Sequence, residues 1–256
     1  MTSPAASTLL LSAVTAVAAG LMGCYALMRR MTLAGDALSH VALPGIGLAL
    51  LLGFHPLYGA LAALLAGAVL VWALERRTRI ATETVIGVVF SSALAVGALL
   101  TTGDELMDAL FGAQAALTPW ELGAGLAGSI LVIAFALLAR NRLIITLVSS
   151  EIALTSGINV QRLNLLFLVA FAVTVALGLR YLGVLLMGSL VIIPAATARR
   201  LARNLNGMFA ASIAVAVLST VSGTYIAAGL HRVSGPVIVT IAAACFLLAV
   251  LYKPSR

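Results

Sequence analysis

The chain has 256 residues, 62% of them hydrophobic and 9% charged, with a formal net charge of +7. A water-soluble domain is nearer half apolar and a quarter charged, so this composition excludes a soluble globular fold. It also excludes a disordered chain, a collagen and a disulfide scaffold, and leaves a polytopic membrane protein crossed by apolar runs of about 20 residues.

Splitting the sequence at its charged breaks predicts an all-α integral membrane bundle of about nine transmembrane spans. They lie near residues 9–28, 37–52, 57–74, 84–100, 120–138, 163–179, 182–198, 208–230 and 236–252. Eight or ten spans also fit, because residues 181–183 barely separate the sixth from the seventh. Assigning the connections alternately to two sides puts Arg29, Arg30, Arg76, Arg77, Arg79, Arg140, Arg142, Arg162, Arg199, Arg200, Arg203, Lys253 and Arg256 on one side. That is 13 of the 15 basic residues, with Arg180 and Arg232 on the other. Short basic loops stay cytoplasmic, so the N-terminus is expected outside and the C-terminus inside. The first span lacks a basic leader and ends in Arg29-Arg30, so it reads as a span and not as a cleaved signal. Cys24 and Cys245 both sit in apolar runs, and no disulfide is expected. No hydrophilic stretch is long enough for a soluble domain, so residues 1–256 form one transmembrane domain. The basic charge is a topology signal, and no nucleic-acid partner is expected.

The second span carries the most informative residues, Gly35-Asp36-Ala37-Leu38-Ser39-His40-Val41-Ala42-Leu43-Pro44-Gly45. A carboxylate and an imidazole four positions apart share one helix face. An aspartate near mid-membrane costs about 2.5–3.5 kcal/mol, and such groups usually serve a function. Carboxylate oxygen with imidazole nitrogen suits first-row divalent cations, provided the imidazole is unprotonated. Two ligands leave a site incomplete, so others must come from another helix, water or a second subunit. The same pair serves as a tie between helices, as a proton-handling group, or, for Asp36, as a helix cap at the membrane edge. Pro44 predicts a kink one turn beyond His40.

Glu83 opens the fourth span at about the expected depth of Asp36, as a helix cap or as part of a cation path. Asp104, Glu105 and Asp108 make the next outer loop acidic, and His55 and His231 fall in outer loops. The stretch 149–160, on the basic side, is too polar to span and too apolar for a free loop. In it Glu151 stands near a helix start and Gly157 near its end, as capping favours. Arg199, Arg200 and Arg203 are placed to meet lipid phosphates at the inner face. The pairs Gly20–Gly23, Gly123–Gly128 and Gly183–Gly188 permit close helix approach, within the chain or at a dimer seam. The only lysine is Lys253, followed by Pro254, so there is no phosphate-binding loop; nor is there a His-Glu-x-x-His helix or a Gly-x-Ser-x-Gly elbow. The chain is not read as an enzyme. If it transports actively, another chain hydrolyses ATP or an ion gradient supplies the energy.

Four runs together resemble the metal-importing ABC permeases of the ABC-3 family. They are Arg29-Arg30-Met31 leading into Gly35-Asp36-Ala37-Leu38-Ser39-His40, then Glu83-Thr84-Val85-Ile86-Gly87 continuing to Leu94, then Gly183 to Gly188 leading to Ile192-Ile193-Pro194-Ala195, and last Ser234-Gly235-Pro236. The resemblance covers nearly the whole chain. It implies the permease subunit of an ATP-driven importer of a divalent transition metal (manganese or zinc, with iron a third option) in the bacterial plasma membrane. It maps the family's metal-contacting pair onto Asp36 and His40. Leu43-Pro44-Gly45 leans slightly to the manganese-type branch. The resemblance further implies that the 149–160 stretch is a coupling segment seated on the ATPase through Glu151 and Gly157, although Ser150 stands where many relatives carry a second acid. The implied partners are a cytoplasmic ABC ATPase subunit, an external metal-binding protein, a second copy of the chain and membrane lipid. No permanently bound cofactor is implied; the metal is cargo. Two rivals follow from the residues alone: a proton-coupled metal transporter working without an ATPase, and an intramembrane enzyme using Ser39 or His40.

Overall fold

The computed structural model describes residues 6–31, 34–78, 80–100 and 118–252. Arg79, Asp104, Glu105, Asp108, Lys253 and Arg256 lie outside the described residues. In chain order the helices are α1 (Ala6–Met28), α2 (Ala34–His40), α3 (Ala42–Leu52), α4 (Pro56–Thr78), α5 (Thr82–Leu100) and α6 (Pro119–Leu138). They continue as α7 (Arg140–Val148), α8 (Ser150–Thr155), α9 (Val160–Leu182), α10 (Val184–Leu201), α11 (Leu205–Leu230) and α12 (Ser234–Tyr252). There is no strand among the described residues. By length and composition, eight stretches of the described residues can cross a membrane, with α2 and α3 counting as one, Gly35–Leu52. The expected span 182–198 falls on α10, which is 18 residues long.

Helix ends follow local chemistry. Thr118 and Glu121 form a reciprocal capping box at the start of α6, with Pro119 at its first position. Asn159 and Asn204 cap α9 and α11 by accepting from the backbone N–H groups of Arg162 and Gly207. α9 and α10 are joined by Gly183 alone, whose φ of 76° and ψ of 171° turn the chain back in one residue. That backbone region is open to glycine and costly for other residues, which explains why the sequence barely shows the break.

The first span is no peripheral leader. α1 runs through the middle of the bundle against α10, α11 and α6, and Ala16, Ala18, Ala19, Met22 and Cys24 are fully buried. About 72% of its apolar window is buried, against 22% for α5, α6 and α12, so these last three lie at the outside of the bundle. Small residues make the contacts close: a Cβ on Gly23 would sit 2.0 Å from the Val191 carbonyl oxygen, and one on Gly20 3.1 Å from that of Ser212. Gly128 and Gly188 also meet neighbours in the chain, while Gly123 meets nothing within 4 Å. The glycine pairs therefore serve mainly intrachain packing. Cys24 and Cys245 are both free.

Hydrogen bonds sort the helix ends. At one end Tyr25 donates to the Ala136 carbonyl (2.8 Å), Trp72 to that of Gln161 (3.0 Å), and Arg140 pairs with Asn206. At the other, His55 and Glu121 approach to 3.6 Å. The first end gathers Arg29, Arg76, Arg140 and Arg162, which makes it cytoplasmic.

Candidate metal-binding site

The second span is two helices. α2 ends at His40, Val41 is a turn, and α3 starts at Ala42. Pro44 accounts for the break: it has no N–H to give to the His40 carbonyl, and its ring crowds that oxygen. The interruption falls at Val41, immediately after the residue whose carbonyl is excluded. α2 packs chiefly on α10 and α5, inside the bundle.

Asp36 Oδ1 and His40 Nε2 lie 4.0 Å apart on one face of α2. The two side chains differ in environment, with Asp36 51% exposed and His40 13%. The carboxylate opens to the outside of this chain, while the imidazole is wedged beside the Phe90 ring, with centroids 5.4 Å apart. His40 Nδ1 is buried and has no hydrogen-bond partner among the described residues. Ser39 is fully buried and its hydroxyl donates to the Asp36 carbonyl oxygen at 2.7 Å, which accounts for it without any catalytic task. No group of three or more His, Cys, Asp or Glu able to hold a metal occurs among the described residues. A cation held by this pair would have to complete its shell from outside those residues.

Glu83 is exposed in the first turn of α5. It stands two turns, about 10 Å along the helix, from Phe90 and the level of His40. It lines an open cavity of about 800 Å³ at the inner end, with Arg29, Arg30, Glu75 and Arg76. Asp36 lies one turn nearer that inner end than His40, so Glu83 and Asp36 differ in depth by only about one turn.

The 149–160 stretch forms α8, set off from α7 at Ser149 (φ −157°, ψ 125°), whose hydroxyl caps α8 by accepting from Ile152 N–H at 3.3 Å. Glu151 is exposed in the first turn, where its charge suits the helix dipole. Gly157 has φ 73°, and the bond from Ile158 N–H to the Ala153 carbonyl (2.9 Å) completes a left-handed helix stop around it. Ala153 packs inward, whereas Val148, Ile152 and Leu154 are 77%, 54% and 63% exposed. The sequence therefore located the start and the stop of this helix but not its cap, Ser149, and the structure adds an apolar face beside them.

One cluster was not singled out in the sequence. Arg29 Nη1 donates to Asn164 Oδ1 (2.6 Å), Asn164 Nδ2 donates to Glu75 Oε2 (2.8 Å), and Thr82 Oγ1 donates to Glu75 Oε1 (2.8 Å). The Arg29 guanidinium also stacks 4.2 Å from the Phe167 ring centre. Burial pushes the Arg29 pKa down to about 10, while Glu75 pulls it back up. Arg29 remains charged at neutral pH, so its partners offset the desolvation. Its only advance signs were an asparagine inside an apolar run and a glutamate beside Arg76-Arg77.

The profile of the ABC 3 transport family matches residues 3–253. The chain is 34% identical over 241 residues to the high-affinity zinc uptake system membrane protein ZnuB of Haemophilus influenzae, covering 92% of each. It is 32% identical to the chelated iron transport system membrane protein YfeD of Yersinia pestis, covering 94% of this chain and 82% of that one. It is 28% identical to the manganese transport system membrane protein MntC of Halalkalibacterium halodurans, covering 93% and 83%. Among solved structures it resembles PsaBC from Streptococcus pneumoniae, with a TM-score of 0.83 at 28% identity, covering 97% of this chain and 91% of that one. Identity does not sort these relatives by metal, and the lean toward manganese drawn from Leu43-Pro44-Gly45 gains nothing from it.

Proposed function

The chain belongs to the ABC 3 transport family, and from that premise we propose that it passes a divalent transition metal between Asp36 and His40. It is the multi-pass membrane permease of a bacterial metal ABC importer; ATP hydrolysis belongs to a separate subunit. The finer reading takes manganese or zinc as cargo, received from an external metal-binding protein and released inward through a path between two copies of the chain.

The observation that carries the reading is the incomplete pair. Asp36 and His40 share a face 4.0 Å apart at a break in a membrane helix, with the carboxylate open to the outside of the chain. Asp36 supplies charge and oxygen, and His40 supplies a neutral nitrogen. Among the described residues Nδ1 lacks the outer hydrogen bond that usually fixes a ligating imidazole, and such partners typically contribute ten- to a hundred-fold in metal affinity. Loose holding suits a group that must let its cargo go. Glu151 and the exposed face of α8 meet the ATPase, and Gly157 ends that helix so that the chain turns directly into α9.

The test is uptake by the permease reconstituted with its ATPase and binding protein. Asp36→Ala and His40→Ala should each abolish ATP-driven uptake of Mn²⁺ and Zn²⁺ while ATPase assembly stays intact. Normal uptake by both variants would end the reading. Metal flux through the permease alone, without nucleotide, would favour the proton-coupled rival.

A further inference from the structure

We propose that Gly188, on α10, is a positioning residue for the Asp36–His40 pair, setting how far α2 stands into the metal path. The inference rests on the reading of Asp36 and His40 as path-lining groups. It starts from the closest approach between α2 and α10. A Cβ built on Gly188 would lie 2.6 Å from the Asp36 Cα, 2.7 Å from the Asp36 N and 3.0 Å from the Asp36 Cβ. All three atoms belong to one residue, and two are backbone, so no side-chain rotation can relieve the contact. Ordinary van der Waals contact begins near 3.4 Å, so a single methyl group at 188 must move the Asp36 backbone by about 0.8 Å.

The direction of that movement is fixed by the surroundings. α10 backs Asp36 on one side, and the Asp36 side chain is open on the other. Displacement therefore carries the carboxylate outward, into the proposed path. His40 rides on the same short helix but is wedged beside Phe90. The pair is thus squeezed between a helix pushed from α10 and a ring held on α5. Displacements of this size at a reacting centre can cost on the order of 100-fold in rate.

Gly35 provides a control from the same contact. A Cβ there would sit 3.5 Å from the Gly188 Cα and 3.5 Å from Phe171 Cζ, which is ordinary packing. Adding a methyl to one side of the α2–α10 contact is therefore harmless, and adding it to the other moves Asp36.

The experiment measures KM and maximal rate for Mn²⁺ and Zn²⁺ uptake in the reconstituted complex, with melting temperature and ATPase assembly recorded for each variant. Gly188→Ala should raise KM or lower the maximal rate about tenfold or more, with unequal effects on the two metals, in complexes that assemble normally. Gly35→Ala should stay within twofold of the parent. A second measurement places a cysteine at 36 in a cysteine-free background and follows its modification by a water-soluble thiol reagent. Gly188→Ala should change that rate severalfold and Gly35→Ala should not. Uptake by Gly188→Ala within twofold of the parent would overturn the assignment, as would equal losses for both alanines. Failure of Gly188→Ala to assemble would make the glycine a folding requirement and overturn it too. If Asp36→Ala itself transports normally, the path reading fails, whereas loss in Asp36→Ala with normal Gly188→Ala defeats only the positioning role.

Discussion

The bundle holds two polar clusters of opposite character. At the inner end, Arg29, Asn164, Glu75 and Thr82 hold one another in a chain of hydrogen bonds between 2.6 and 2.8 Å, joining α1, α9, α4 and α5. On α2, Asp36 and His40 stand 4.0 Å apart, with one imidazole nitrogen buried and without a partner among the described residues. A satisfied network stabilises the fold that contains it, whereas a buried polar group without a partner costs stability and persists where function needs it. Polar side chains are therefore structural in one place and, on the proposed reading, available for cargo in the other. What separates them is completeness.

The sharpest way to break this contrast is to alter each cluster and read both stability and transport. Asp36→Asn keeps the shape and removes the charge. It should eliminate uptake while changing stability by less than about 0.5 kcal/mol, as expected for a half-exposed side chain whose contact to His40 is 4.0 Å long. Thermal melting in detergent beside a transport assay checks this, and a large loss of stability would make the pair structural after all. Asn164→Leu should do the reverse, leaving Glu75 and Arg29 without their bridge at a cost of about 2 kcal/mol. Its metal preference, read as the ratio of Mn²⁺ to Zn²⁺ uptake, should match the parent.

Smaller effects sharpen the picture at the 149–160 stretch. Glu151→Ala should reduce stimulation of the ATPase by the permease and leave melting unchanged; full stimulation would count against its part in coupling. Gly157→Ala forces a side chain into a left-handed backbone at φ 73° and should cost about 1 kcal/mol. Arg30 already occupies that region, with φ 59° at the end of α1, so Arg30→Gly should stabilise by roughly 0.5 kcal/mol. Differential melting of the two variants measures both signs.

The spans were legible because apolar length and basic loops are local signals, and Pro44 announced the break in the second span. Its placement at Val41 follows from the carbonyl that the proline excludes, one turn back. Asp36 and His40 stood out because charge is rare in such a helix, while their metal role came from resemblance. The inner network was not legible: Asn164 and Glu75 are 89 positions apart, and each looks unremarkable until the fold joins them. The same holds for Gly188, whose meaning depends on a neighbour early in the chain. Contacts of that kind have no periodicity to betray them.

Gly183 leaves no slack between α9 and α10. A link of one residue cannot lengthen, so the outer tips of these two helices stay together in every state the protein adopts. Whatever separates their inner ends must do so by opening an angle, in the manner of tweezers joined at the top. One arm starts three residues beyond the Gly157 stop of α8, and the other bears the residue against which Asp36 rests. A tilt begun below is thereby delivered, through a shared apex, to the backing of the carboxylate.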